Sequence, residues 1–136
     1  MASVELLQRV PVFADLDQRE LESLARLFKE RTFSAGGTVA SEGQQGIGFF
    51  VIEEGEATVT VRGEERSKLR SGDSFGEVAL IDEGARTATI TADTDLRCWG
   101  LTAWDFRPLV ENNAGIAWKM LGTMAKRLRD AEQRET

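Results

Sequence analysis

The segment from Phe75 to Ala88, FGEVALIDEGARTA, gathers residue types suited to holding a phosphorylated sugar. Gly76 lets a backbone come close to a ligand. One helical turn from about Gly76 to Leu80 would aim free amides at an anion. Arg86 offers a planar, permanently charged, two-pronged donor for phosphate oxygens. Thr87 adds a hydroxyl and an amide beside it. Glu77 cannot serve the phosphate, because like charges repel, but its carboxylate accepts from sugar hydroxyls. One loop therefore holds a phosphate pole and a sugar pole. Each residue taken singly has a blander reading: Glu77 and Arg86 as a surface ion pair, and Gly76 as a turn glycine.

The composition narrows the chemistry further. The chain has 136 residues, 17 basic against 23 acidic, for a net charge of −6. Such a surface disfavours non-specific binding to nucleic acid or an anionic membrane. With no histidine and one cysteine, Cys98, it excludes Ser-His-Asp and Cys-His nucleophiles, imidazole metal ligands and an internal disulfide. No enzyme and no metal site is expected. Cys98, in a strand between Arg97 and Trp99, reads as a buried small side chain. A lone thiol suits a reducing compartment, no apolar run has membrane-spanning length, and MASVELLQRV lacks signal-peptide character. These features predict a cytoplasmic protein.

The elements that must position the loop follow from periodicity. The length fits one domain over residues 1–136, divided as N-terminal helices at 1–29, strands at 30–101 and C-terminal helices at 102–136. Asp17 to Glu20 forms a capping box, and Leu21, Leu24, Ala25, Leu27 and Phe28 predict an amphipathic helix over 18–29. The middle region alternates glycines with short β-branched runs, at Phe49–Ile52, Ala57–Val61, Thr87–Thr91 and Leu96–Leu101. That is the pattern of an antiparallel sandwich or barrel. Glu54-Gly55 reads as a tight hairpin, and Gln44 to Gly48 as a hairpin tip. Thr102 and Asp105 form a cap-like pair, Pro108 predicts a kink or late helix start, and Asn112-Asn113 breaks the chain. Ala117, Met120, Leu121, Met124 and Leu128 share one face of a last helix ending near Glu132. Lys119, Lys126, Arg127 and Arg129 read as its solvated face. Trp99, Trp104 and Trp118 are expected mainly to pack, with Trp118 also a candidate lid or dimer contact.

The loop resembles the phosphate-binding cassette of cyclic-nucleotide-binding domains, roughly FGE-x-AL, five residues, then R-[TSA]-A. The run Gly48 to Glu56 is similar to that family's earlier strand-turn signature, and Val12 to Leu16 to its helical lead-in. The resemblance implies an eight-stranded antiparallel jelly roll, a mainly β fold with N-terminal and C-terminal helices. It implies ligand binding by Gly76, Glu77, Val78, Ala79, Leu80, Arg86, Thr87 and Ala88. Glu77 would take the ribose 2′-hydroxyl and Arg86 the exocyclic phosphate oxygens. The amides of Gly76, Ala79 and Thr87 would complete the cradle, with Thr87 also near the purine. Leu80 and the strand Ala57–Val61 would form apolar walls. Ala85 stands where the family often has proline. Met124 to Leu128 is similar to a stretch of the catabolite-activator branch, but Ala131 and Glu132 replace the Thr-Ser pair that reads the base there.

The expected function is a cytoplasmic sensor of a cyclic mononucleotide, cAMP before cGMP, that needs no cofactor and signals by repositioning its last helix. Two alternatives stand beside it. The domain could be the sensor half of a longer transcription regulator, although the short tail ending at Thr136 leaves no room in this chain for direct DNA binding. Or it could be a ligand-free module that pairs through the last helix as a homodimer, using Ala117, Met120, Met124 and Leu128. The downstream effector is not specified by any residue.

Overall fold

Side-chain caps start three of the helices. The amide of Leu6 donates to Ser3 Oγ at 3.1 Å ahead of α1, Val4–Gln8. Asp17 accepts from the Glu20 amide and Glu20 from the Asp17 amide, both at 2.9 Å, so the predicted capping box opens α2, Gln18–Ala25. Thr102 Oγ1 accepts from the Asp105 amide at 3.3 Å and starts α3, Ala103–Asn112. The helix runs through Pro108, so the expected late start does not occur: the cap fixes the beginning, and the proline removes a single bond further on. Asn113 separates α3 from α4, Ala114–Glu135.

The computed structural model describes residues 1–44, 48–82 and 85–135. The predicted tip at Gln44 to Gly48 and the centre of the cassette turn fall largely outside them. Helix α2 ends at Ala25 rather than near 29, because Lys29–Phe33 is claimed as β1 by pairing with β8, in register from Lys29 opposite Gly100 to Phe33 opposite Leu96. The remaining strands are β2 (Thr38–Ala40), β3 (Gly48–Glu54), β4 (Ala57–Val61), β5 (Glu64–Leu69), β6 (Ser74–Phe75), β7 (Thr89–Ala92) and β8 (Leu96–Thr102). They form two antiparallel four-stranded sheets, β1-β8-β3-β6 and β2-β7-β4-β5. This is the eight-stranded jelly roll with flanking helices. A pair of strands neighbouring in sequence need not pair in space. Glu54-Gly55 carries the chain from one sheet to the other instead of closing a hairpin, with Gly55 at φ +103°. The tight hairpin is at Arg62-Gly63, joining β4 to β5 with both residues at positive φ.

Strand β3 divides the core. Phe49 and Val51 face the helices, while Ile52 faces the second sheet, as a period of two requires. On the helical side Phe13, Phe28 and Phe49 meet edge to face, with centroids 5.7 to 6.5 Å apart. Between the sheets lie Ile52, Phe75, Ile90, Leu96 and Cys98. Of the tryptophans, Trp99 packs and donates to Glu53 at 3.0 Å, whereas Trp104 and Trp118 are 64% and 77% exposed, contrary to the expectation that they would pack. Each falls on the outer side of its helix, because the inward positions are taken by Phe106 on α3 and by Ile116 and Met120 on α4.

Cys98 is fully buried, and that burial pushes its thiol up from 9.0 to about 12. Folded protein at pH 8 is therefore expected to react with a thiol reagent only as fast as it unfolds, with one thiol titrating at once in denaturant. As pH rises from 9.0 towards about 12 the unfolded thiol ionises first, so stability held below pH 9 is lost over that window, and a Cys98→Ala variant lacks the slope. Reagent kinetics and pH-dependent melts check both.

Candidate cyclic-nucleotide site

The cassette begins where β6 ends. Gly76 follows Phe75 at φ +86°, a conformation that favours glycine. A β-carbon there would approach the Gly48 carbonyl oxygen to 2.8 Å and would run into the Arg86 guanidinium. Next comes a 3-10 turn, Glu77–Leu80, in place of an open helical turn. Within it the Ala79 amide donates to the Gly76 carbonyl at 2.9 Å, so this expected cradle donor is engaged by the turn itself. The far leg of the cassette is held by its backbone. The Gly43 amide donates to the Arg86 carbonyl, and the Arg86 amide to the Gln44 carbonyl, both at 2.8 Å. The Glu42 amide donates to Thr89 Oγ1 at 3.1 Å just beyond.

Together these elements enclose a cavity of about 470 Å³. Gly76, Glu77, Ala79, Arg86, Thr87 and Ala88 all line it, which brings six of the eight predicted site residues to one place. Leu80 does not. It is 5% exposed and packs in the helical-side core, because the 3-10 turn directs it away from the cavity, so its role as an apolar ligand wall is withdrawn. Val78 lies in the same turn. Of the strand Ala57–Val61, expected as an apolar wall, Val59 lines the cavity. Sequence reasoning missed Ala40, Leu69, Ser74, Asp82 and Ile90, which also line the cavity. Asp82 sits inside the quoted cassette and was legible there only as a turn residue.

Two side chains set the electrostatics. Arg86 is half-buried, its Nη2 donates to the Gly48 carbonyl, and burial lowers its pKa from the ordinary arginine value. It remains a cation at any physiological pH. Glu77 is 21% exposed and its Oε1 lies 3.1 Å from Arg127 Nη2 on α4. Arg127 was expected on a solvated face and instead pairs with a predicted site residue, a contact the sequence reading passed over. The available signal was its phase: it follows Thr123 by four positions and Met124 by three, and both of those turn inward. Lys119 leaves the solvated face too, pairing with Glu20 at 2.7 Å, and that bond raises its pKa.

A family model described as cyclic nucleotide-binding domain matches residues 30–113, more than half of the chain. This chain belongs to that family. These are regulatory ligand-binding domains that are not themselves catalytic. Over 93 residues, 67% of this chain, it is 41% identical to a cAMP-dependent protein kinase regulatory subunit of Yarrowia lipolytica, covering 25% of that relative. Over 97 residues it is 38% identical to a cGMP-dependent protein kinase of Eimeria tenella, covering 10% of it. The chain thus spans a quarter or less of these relatives' lengths. Among solved structures, the N-terminal domain of a transcriptional regulator from Streptomyces coelicolor A3(2) superposes with a TM-score of 0.88 at 30% identity, over 94% of this chain and 95% of that one. The catabolite activator protein of Thermus thermophilus gives 0.74 at 27% identity, over 91% and 61%. cAMP-bound PfPKA-R gives 0.71 at 26% identity, over 95% and 46%. Among the described residues no helix is long and apolar enough to cross a membrane.

Gly76→Ala is expected to displace the Arg86 side chain and strain the turn, costing about 1–3 kcal/mol of stability. A chemical denaturation series against wild type measures it. The same variant should lose nucleotide affinity by more than this cost in stability implies, since its β-carbon occupies the guanidinium's place.

Proposed function

We propose that this domain senses a cyclic mononucleotide, cAMP in preference to cGMP, and reports occupancy through α4. The observation that carries the reading is the double contact of Glu77, which lines the cavity and pairs with α4 through Arg127. The carboxylate has acceptor positions to spare. While Arg127 holds Oε1, the other oxygen accepts from the ribose 2′-hydroxyl. Arg127 also screens Glu77 from the ligand's own negative charge, so nucleotide and docked helix favour each other. Arg86 keeps Nη2 on Gly48 and presents its remaining N–H groups to the exocyclic phosphate oxygens. The amides of Gly76 and Thr87 complete the cradle, with the Thr87 hydroxyl near the base and Val78 and Ala88 alongside. The names of the Yarrowia relative and of the PfPKA-R structure support cAMP, and that of the Eimeria relative supports cGMP.

Calorimetry tests this. Wild type is expected to bind cAMP, and Arg86→Ala to bind it at least about a hundredfold more weakly, since a charge-assisted pair on phosphate is lost from a half-buried site. Arg127→Ala, half-exposed, should lose about fivefold and should remove the ligand-induced change in α4. An absence of cAMP and cGMP binding at millimolar concentration defeats the reading.

A second reading, pairing of two copies through α4, is supported by an exposed stripe. Trp118, Leu121 and Leu128 are 77%, 58% and 62% exposed, and with Ala125 they recur at alternating three- and four-residue steps. The stripe differs from the expected one because Met120 is spent in the domain's own core. Sedimentation should give a dimer for wild type and a monomer for a Leu121→Glu, Leu128→Glu double variant.

A further inference from the structure

Glu42 follows β2 and is not among the described residues that line the cavity. Its side chain reaches across the end of the second sheet. Oε1 and Oε2 accept from the Arg62 amide, at 3.0 and 3.3 Å, at the tip of the β4–β5 hairpin. Thr89, the first residue of β7, accepts from the Glu42 amide through Oγ1 at 3.1 Å, and the same hydroxyl donates to Glu42 Oε1 at 3.4 Å. The ends of β2, β4 and β7 therefore meet on one residue. The two residues after it, Gly43 and Gln44, exchange the backbone hydrogen bonds that hold Arg86. Arg62 stands at φ +52°, a left-handed conformation that a residue with a β-carbon adopts only at a cost. A carboxylate beside the backbone that grips Arg86 also adds repulsion towards an anionic ligand. Both oxygens are turned instead on an amide, which points to a positional role.

Resting on the cyclic-nucleotide reading above, we infer that Glu42 is a positioning residue for the phosphate end of the site. It ties the backbone behind Arg86 to the β4–β5 hairpin, so the guanidinium is held in place from that hairpin. The two ends of the site are thus steadied by different elements: α4 meets Glu77 through Arg127, and the hairpin meets Arg86 through Glu42, Gly43 and Gln44. The link needs an acceptor oxygen at the reach of a glutamate side chain. It does not need the charge, because the partner is a neutral amide.

Amide hydrogen exchange on ligand-free protein and calorimetry with cAMP test this. Without ligand, Glu42→Ala is expected to speed exchange at Gly43, Arg62 and Arg86 about fivefold beyond any change at the α2 amides, the scale of one hydrogen bond. With cAMP, Glu42→Ala should bind about fivefold more weakly, and Glu42→Gln, which keeps an acceptor at the same reach, within about twofold of wild type. In an Arg86→Ala background Glu42→Ala should cost nothing further, since the group it positions is gone. Unchanged exchange at Gly43 and Arg86 overturns the inference, and so does equal acceleration in α2, which makes Glu42 a general stabiliser. Equal loss of affinity in the Gln and Ala variants overturns it, because charge then matters and reach does not. A further fivefold loss in the Arg86→Ala background overturns it as well, because Glu42 then acts elsewhere. If wild type binds neither cAMP nor cGMP, the cyclic-nucleotide reading falls, while the exchange measurement still decides whether Glu42 holds the backbone of Arg86.

Discussion

The Arg86 guanidinium lies between the Gly48 carbonyl and the Cα of Gly76, half out of water, in a protein whose net charge is −6. The global field opposes an anionic ligand, so a local cation must do the opposite and must be held where water cannot screen it. Holding it there costs solvation, which the Gly48 hydrogen bond partly restores. The arrangement needs a glycine at 76, a carbonyl at the start of β3, and a backbone that fixes Arg86 against Gly43 and Gln44. The jelly roll brings these distant segments together.

The two cores divide the remaining work. The helical-side core anchors Leu80 and so fixes the near end of the cassette, while the core between the sheets lends Ile90 to the lining of the cavity. Strand β3 belongs to both, and its first residue carries the carbonyl that holds Arg86. A cavity-making change in either core thus reaches the cassette from one side or the other. The helical end packs into the first of these cores through Ile116 and Met120 and is pinned as well by polar contacts. Thr123 donates to Asp15 at 3.0 Å, and Lys119 pairs with Glu20 at 2.7 Å.

Much of this was legible where the signal is local. The capping box at Asp17 and Glu20, the break at Asn113, the buried Cys98 and the cassette itself depend on residues a few positions apart. What escaped depends on where distant segments meet. Glu54-Gly55 and Arg62-Gly63 carry similar turn chemistry, and only the sheet assignment tells a crossing from a hairpin. Strand β5 was invisible because five of its six residues are exposed, leaving no alternation to detect. Leu80 read as a ligand wall because its sequence neighbours are ligand residues, yet a 3-10 turn rotates it into the core. Arg127 shares its chemistry with the solvated cations around it and differs only in phase.

Helix α4 extends from Ala114 to Glu135, and its shortest polar fastenings to the N-terminal segment lie at Lys119 and Thr123, with Lys126 3.9 Å from Asp15 further along. In the proposed response it would act as a lever with its fulcrum off-centre. At 1.5 Å per residue, Arg127 stands about 6 Å beyond Thr123 and Glu135 about 18 Å beyond it. A tilt that moves Arg127 by about 1 Å, the scale on which an ion pair tightens or lets go, sweeps the far end by about 3 Å. In the proposed response the position of Arg127 would set the gain as well as the trigger: one turn nearer the fulcrum would amplify more and grip less, and one turn further out would do the reverse.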